Sequence, residues 1–287
     1  MPRVKSNGIE LEYDTFGSPD DPALLLIMGF TAQMTAWDPE FCERIAGNGY
    51  HVIRFDNRDV GLSSRIEGEV DIAKLFSGDI TSVPYTLDDM ADDAAGLLDA
   101  LGIAKAHIVG ASMGGMIAQL VALNHPDKTL SLCSIMSTTG NREVGQATPE
   151  AMAALMAPAA TSREEAVERG VASGRVIASK VHFDEAKAAK RAGEAYDRAF
   201  DPKGVARQMG AIGAQTDRAP QLAKVKAPTL VIHGKGDPLV TLSGGEATAA
   251  AVPGSELLVL DEMGHDLPEP LWPQVVDAIV ANARRAR

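Results

Sequence analysis

Short apolar runs alternate along this chain with stretches of helical periodicity, and that alternation restricts the fold more than any other feature. The runs lie at 23–28, 51–55, 106–109, 130–136, 229–232 and 256–260. Each has the length of a strand, and continuous apolar runs of that kind are expected where a strand is covered on both faces. Helical patterns fill the intervals at about 35–47, 87–101, 113–124, 244–251 and 272–283. Strand and helix in turn predict an α/β fold on a mostly parallel, doubly wound sheet, because parallel neighbours need a crossover that a helix supplies.

The alternation stops after Met136 and resumes at Pro228. An interval of about 90 residues is too long for a bare loop. It predicts a helical cap, residues 137–227, inserted into a core made of 1–136 and 228–287. Thr148-Pro149-Glu150 reads as a helix start with proline in the first helical position, Ser162-Arg163-Glu164-Glu165 as a capping box, and 184–200 as a further amphipathic stretch. Met152, Met156, Phe183 and Phe200 fall in this interval at spacings that suit helix-packing core, and they receive no site role.

With 287 residues and 45% hydrophobic types, the chain can build one large domain. Its 27 basic and 39 acidic side chains leave a net charge of −12, which argues against nucleic acid or an anionic membrane as partner and points to a small neutral molecule. Residues 1–8 lack the apolar stretch of about 7 to 15 residues that a secretory signal needs. No window approaches the roughly 20 consecutive apolar residues that cross a bilayer. Cys42 and Cys133 both lie in segments that read as buried, so free core thiols rather than a disulfide are expected. A soluble, cytoplasmic chain is the resulting expectation.

One serine stands at a strand–turn–helix junction. Gly110-Ala111-Ser112-Met113-Gly114 follows an apolar run and opens a helical stretch, a tight turn in which small neighbours leave a hydroxyl exposed. A serine nucleophile needs a base to take its proton and an acid to orient that base, and on a sheet of this kind they follow in the order serine, acid, histidine. The run at 229–232 leads through His233-Gly234-Lys235-Gly236 to Asp237, the candidate acid; the run at 256–260 leads to His265, the candidate base. His51, His107 and His233 sit in strands, His125 ends a helix and His182 falls in the expected cap, all positions where histidine is commonly structural. Asp261, Glu262 and Asp266 are too near His265 in sequence to partner it, and Ser137-Thr138-Thr139-Gly140, after another strand, offers no carboxylate. For the developing oxyanion, the Met113 N–H follows the nucleophile, and the turn Met28-Gly29-Phe30-Thr31 places a second donor at Phe30.

With these residues in place the chain resembles the α/β-hydrolase superfamily over nearly its whole length, and within it the aclacinomycin methylesterase group. Three stretches carry the closer likeness: Asp21 through Gly29, His51 through Ser63, and Gly264-His265-Asp266-Leu267-Pro268. Met28 stands where many superfamily members have histidine, a departure that the group shares. The resemblance implies a Ser112–Asp237–His265 triad, hydrolysis of a carboxylic ester, and as substrate a methyl ester on a polycyclic natural product. The superfamily's Asp-x-Arg-Gly segment implies that Asp56, Arg58 and Asp59 form a salt-bridged turn, with Ser63 and Ser64 as turn or cap residues.

The expected mechanism runs through an acyl-enzyme on Ser112 with no cofactor and no metal, and weakens in acid as His265 takes up a proton. A carbon–carbon hydrolase or a cofactor-free perhydrolase would use the same triad, and a noncatalytic receptor would use only the pocket. An aspartate-nucleophile enzyme is disfavoured by the serine at 112. Phe30→Pro removes one oxyanion N–H and should lower kcat by about 10²- to 10³-fold. Ester turnover by a folded variant measures this, and an unchanged kcat would remove Phe30 from the oxyanion site.

Overall fold

The computed structural model describes residues 2–286; Met1 and Arg287, the outermost residues of the expected core, lie outside them. The first half of the chain forms β1 (Arg3–Ser6), β2 (Ile9–Phe16), β3 (Ala23–Ile27), α1 (Pro39–Ala46), β4 (His51–Phe55), α2 (Ile72–Phe76), α3 (Leu87–Ala100), β5 (Ala106–Ala111), α4 (Met113–Asn124) and β6 (Thr129–Ile135). There follow α5 (Pro149–Leu155), α6 (Arg163–Ile177), α7 (Glu185–Arg198), α8 (Pro202–Gly213), α9 (Ala219–Leu222), β7 (Thr229–Gly234), α10 (Leu242–Ala251), β8 (Glu256–Leu260) and α11 (Trp272–Arg284). Eight strands make one sheet in the order β1-β2-β4-β3-β5-β6-β7-β8. Among the described residues only the β1–β2 and β2–β4 pairs are antiparallel.

The apolar strands β3 to β7 are covered on both faces, whereas β8, the last strand of the sheet, leaves Leu257 and Val259 exposed. In β3, Leu25 and Ile27 join a core with Leu87, Met90 and Leu97 of α3 and Ile117 and Val121 of α4, while Leu24 and Leu26 join a second core with Phe41 and Ile45 of α1 and Val275 and Ile279 of α11. Successive side chains point to opposite faces of a strand, so one pentapeptide serves both cores. Burying each such leucine contributes about 1.5–3 kcal/mol. Cys42 and Cys133 are free and buried, and burial pushes the Cys42 thiol up to about 12. Among the described residues no helix is long and apolar enough to cross a membrane.

Several local expectations change. Two strands precede the first apolar run: β1 and β2 form a hairpin through Asn7 (φ 47°) and Gly8 (φ 80°), the turn that an Asn-Gly pair favours. The pattern expected over 35–47 divides into a 3-10 turn, Met34–Ala36, and α1, because the Asp38 side chain caps Glu40 N–H and Pro39 takes the first helical position. Thr148 caps α5, but the box at Ser162 is only half formed. Ser162 accepts from Glu165 N–H, whereas the Glu165 carboxylate accepts from the N–H and hydroxyl of Thr161.

Met152, Met156 and Phe200 are 43–44% exposed rather than core, and only Phe183 packs as expected, against Gly174 of α6. Asp56, Arg58 and Asp59 are ion-paired, but with distant helices rather than with each other. Arg58 pairs with Asp93 of α3 at 2.6 Å, Asp56 with Arg198 of α7 at 2.7 Å and Asp59 with Arg207 of α8 at 2.8 Å. Ser63 and Ser64 accept backbone N–H bonds from Glu12 and Glu10, tying this segment to β2.

His107 of β5 is 5% exposed, with Nδ1 2.9 Å from Ser131 Oγ on β6, and burial pulls its pKa down to about 4. The unfolded chain takes up this proton near the ordinary value of about 6.5, so the contribution of the neutral ring to stability is complete above that pH and is lost as pH falls toward 4. His107→Leu should therefore lose less Tm than the natural protein between about pH 7 and pH 4.5, by about 2–4 °C. Equal losses in calorimetry would show that this histidine does not govern acid stability.

Candidate active site

The hydroxyl of Ser112 is delivered by the crossing from β5 to α4. Ser112 is the residue between them, at φ 57° and ψ −122°, a conformation that stores about 1–3 kcal/mol in a non-glycine residue. Its neighbours hold it there. Ser112 N–H donates to Ile135 O at 2.9 Å, and Ser137 Oγ donates to Ser112 O at 2.8 Å. The flanking glycines are steric necessities: a Cβ at Gly110 would run into the Gly114 carbonyl, and one at Gly114 into the carbonyl of Ile27 on β3. The turn fits only because no side chain separates α4 from the sheet.

His265 and Asp237 come from the loops after β8 and β7, neighbours at one edge of the sheet. His265 Nε2 lies 2.9 Å from Ser112 Oγ, and His265 Nδ1 lies 2.7 Å from Asp237 Oδ2. The other Asp237 oxygen accepts from the N–H groups of Leu239 and Val240, both at 2.9 Å, so the carboxylate has its orientation set from two sides. His233, fully buried behind it, donates from Nε2 to Val240 O at 2.7 Å; burial lowers its pKa, which keeps the ring neutral. The structure thus brings the three residues into one hydrogen-bonded line, and leaves His51, His107, His125, His182 and His233 outside it. A line of this kind can move a proton from a hydroxyl to a ring nitrogen while a buried carboxylate stabilises the imidazolium.

The two expected oxyanion donors belong to the residue after Ser112 and to the loop after β3. Met113 is the first residue of α4, so its N–H has no acceptor within the helix. The Met28–Thr31 loop crosses over Ser112, with Gly29 so close that a Cβ there would stand 3.0 Å from Ser112 Cβ. Three side chains that sequence patterns did not single out hold this loop: Asn57 donates to Met28 O at 2.8 Å, Gln208 of α8 accepts from Thr31 N–H at 2.9 Å, and the Gln33 amide donates to Ala195 O and Ala199 O. Their partners lie up to 177 positions away. The nearest local signal was Asp201-Pro202, a cap and first-turn proline that announces α8.

A cavity of about 340 Å³ opens onto Ser112 and His265. Its walls include Phe30, Trp37, Phe41, Leu239 and Trp272 from the sheet side, and Leu155, Ser173, Ile177 and Arg191 from α5, α6 and α7. Arg191 is paired with Asp38 at 2.8 Å, so this cation in the wall is already matched. Asp266, beside His265, also faces the cavity; it accepts from Ser179 N–H and Gly264 N–H, and burial raises its pKa. His265 N–H itself donates to Ile177 O at 2.7 Å, so the end of α6 rests directly on the histidine loop. A chamber whose walls are mainly apolar, with its charged groups engaged in hydrogen bonds or ion pairs, suits a small, largely uncharged ligand.

Among known proteins, the chain is 30% identical over 306 aligned residues to rhodomycin D methylesterase DauP of Streptomyces sp. (strain C5), covering 99% of this chain and 98% of that protein. Rhodomycin D methylesterase DnrP of Streptomyces peucetius matches with the same identity and coverage. Of solved structures, the enol-lactonase from Burkholderia xenovorans LB400 shares the fold with a TM-score of 0.77 at 24% identity, over 99% of this chain and all of that one. The family described as alpha/beta hydrolase fold matches residues 22–269, and to that family the chain belongs.

Proposed function

We propose that this protein hydrolyses a carboxylic ester through an acyl-enzyme on Ser112. The line from Ser112 Oγ through His265 to Asp237, with both links at 2.7–2.9 Å, is the observation that carries the reading. Ser112 attacks the ester carbonyl as His265 Nε2 takes its proton, and Asp237 stabilises the resulting imidazolium. The N–H groups of Phe30 and Met113 receive the oxyanion, each such donor supporting about 2.7–4 kcal/mol of transition-state stabilisation. His265 then protonates the departing alcohol. A water, deprotonated by the same ring, releases the acid from Ser112.

The acyl part lies in the aromatic and aliphatic chamber, and residues 137–227 act as a cap inserted into a core of 1–136 and 228–287, since α5, α6 and α7 all supply wall residues. A methyl ester carried by a polycyclic compound is the substrate class we favour, because the two rhodomycin D methylesterases are similar over nearly the full chain. Cytoplasmic operation fits the two free thiols.

The protein should turn over p-nitrophenyl acetate and release methanol from aryl methyl esters, and a fluorophosphonate should label it. Ser112→Ala should abolish labelling and lower kcat at least about 10³-fold. Labelling and turnover retained by Ser112→Ala would overturn the assignment.

A further inference from the structure

We propose that Gln208, on α8, is a positioning residue for the oxyanion hole, so that a helix of the segment between β6 and β7 takes part in the chemistry. This rests on the reading of the Phe30 and Met113 N–H groups as the oxyanion donors. The two donors differ in how they are held. Met113 N–H is fixed by α4, a helix of 12 residues packed in the core. Phe30 N–H belongs to a turn rather than a helix, held within the backbone by one long bond from Ala32 N–H to Gly29 O at 3.3 Å.

The peptide plane that carries this N–H joins Gly29 to Phe30. The plane before it is clamped through Met28 O, which accepts from Asn57 Nδ2 at 2.8 Å, and the plane after it through Thr31 N–H, which donates to Gln208 Oε1 at 2.9 Å. Rotation of the middle plane therefore strains one amide clamp or the other, as well as the longer bond that its own Gly29 O accepts from Ala32 N–H at 3.3 Å. Thr31 sits at φ 60°, a left-handed conformation that a β-branched residue leaves unless it is held.

Gln208 is suited to holding it. Its side chain is fully buried, and its Nε2 donates to Arg58 O at 2.9 Å, so both ends of the amide are engaged and its orientation is defined. Arg58 is anchored by Asp93, and the neighbouring Arg207 by Asp59, which brings α8 against the loop. A glutamine that only docked a helix would be satisfied by any carbonyl and any N–H. This one accepts from the residue that follows the oxyanion donor.

Gln208→Met keeps length and volume and removes both hydrogen bonds. Displacement of a reacting contact by about 1 Å lowers rate by about 10²-fold, so kcat for p-nitrophenyl acetate should fall about 10- to 100-fold with KM within about threefold. The inhibition constant of an aryl trifluoromethyl ketone, whose adduct with Ser112 presents the same oxyanion, should rise by the factor that kcat/KM loses. A purely structural role would lower Tm without this parallel, and a folded Gln208→Met variant with unchanged kcat and inhibition constant overturns the proposal.

If that variant does not fold, Gln208→Glu decides, because it keeps an acceptor for Thr31 N–H and loses the donor to Arg58 O. An inhibition constant close to that of the natural protein supports the proposal, and a weakened one despite the kept acceptor overturns it. The natural protein and Ser112→Ala are measured alongside. Absence of Ser112-dependent turnover defeats the ester-hydrolase reading and this proposal with it, whereas Ser112-dependent turnover indifferent to residue 208 defeats only the role of Gln208.

Discussion

The strained turn at Ser112 is possible only between a strand and a helix that are both immobile. β5 is hydrogen-bonded on one side to β3 and on the other to β6, and α4 is buried along most of its length, so the turn cannot relax by moving either flank. Gly110 and Gly114 let the two elements meet without a side chain between them. Everything else at the site is arranged around this fixed hydroxyl. The histidine and aspartate loops leave the ends of β8 and β7, and the Met28–Thr31 loop leaves the end of β3, all at the carboxyl ends of parallel strands in one sheet.

A second constraint attaches the helices between β6 and β7 to those carboxyl ends of the strands. Asp56, Arg58 and Asp59 sit just beyond β4 and are nearly inaccessible, and their charges are met by Arg198, Asp93 and Arg207. Such buried pairs add little net stability, but removal of one partner strands the other charge, at about 3–5 kcal/mol. They therefore act more on placement than on strength. The contacts of α6 with the His265 loop and of α8 with Thr31 extend the same attachment to the reacting groups, so the segment between β6 and β7 both lines the chamber, through α5 to α7, and holds the loops that carry the chemistry, through α6 and α8.

Much of this was legible residue by residue. The six apolar runs became β3 to β8, the mutually parallel strands; burial on two faces accounts for the unbroken pattern in β3 to β7, whereas β8 closes the sheet with Leu257 and Val259 exposed. The β1–β2 hairpin carries no continuous apolar run, since Ile9 to Phe16 alternates apolar and polar types, although Asn7-Gly8 marks its turn. Met152, Met156 and Phe200 read as core from their spacing alone; spacing tells which residues share a helix face, while only the packed molecule tells whether that face meets another element. The Asp56 cluster reads correctly as ionic but not as self-contained, because its partners lie up to 148 positions away.

By itself the sequence determined the sheet, the helices that cross it, and the chain positions of Ser112, Asp237 and His265, since strand ends and turn glycines are set by local sterics and by burial patterns within a few residues. Only the tertiary structure decided that the three lie within hydrogen-bonding distance, that the chamber is apolar and of about 340 Å³, and that Gln208 rather than a nearer residue meets Thr31. Local propensity fixes which way a side chain leaves its own element. Which group waits for it there depends on how distant elements pack, and that is a property of the whole chain.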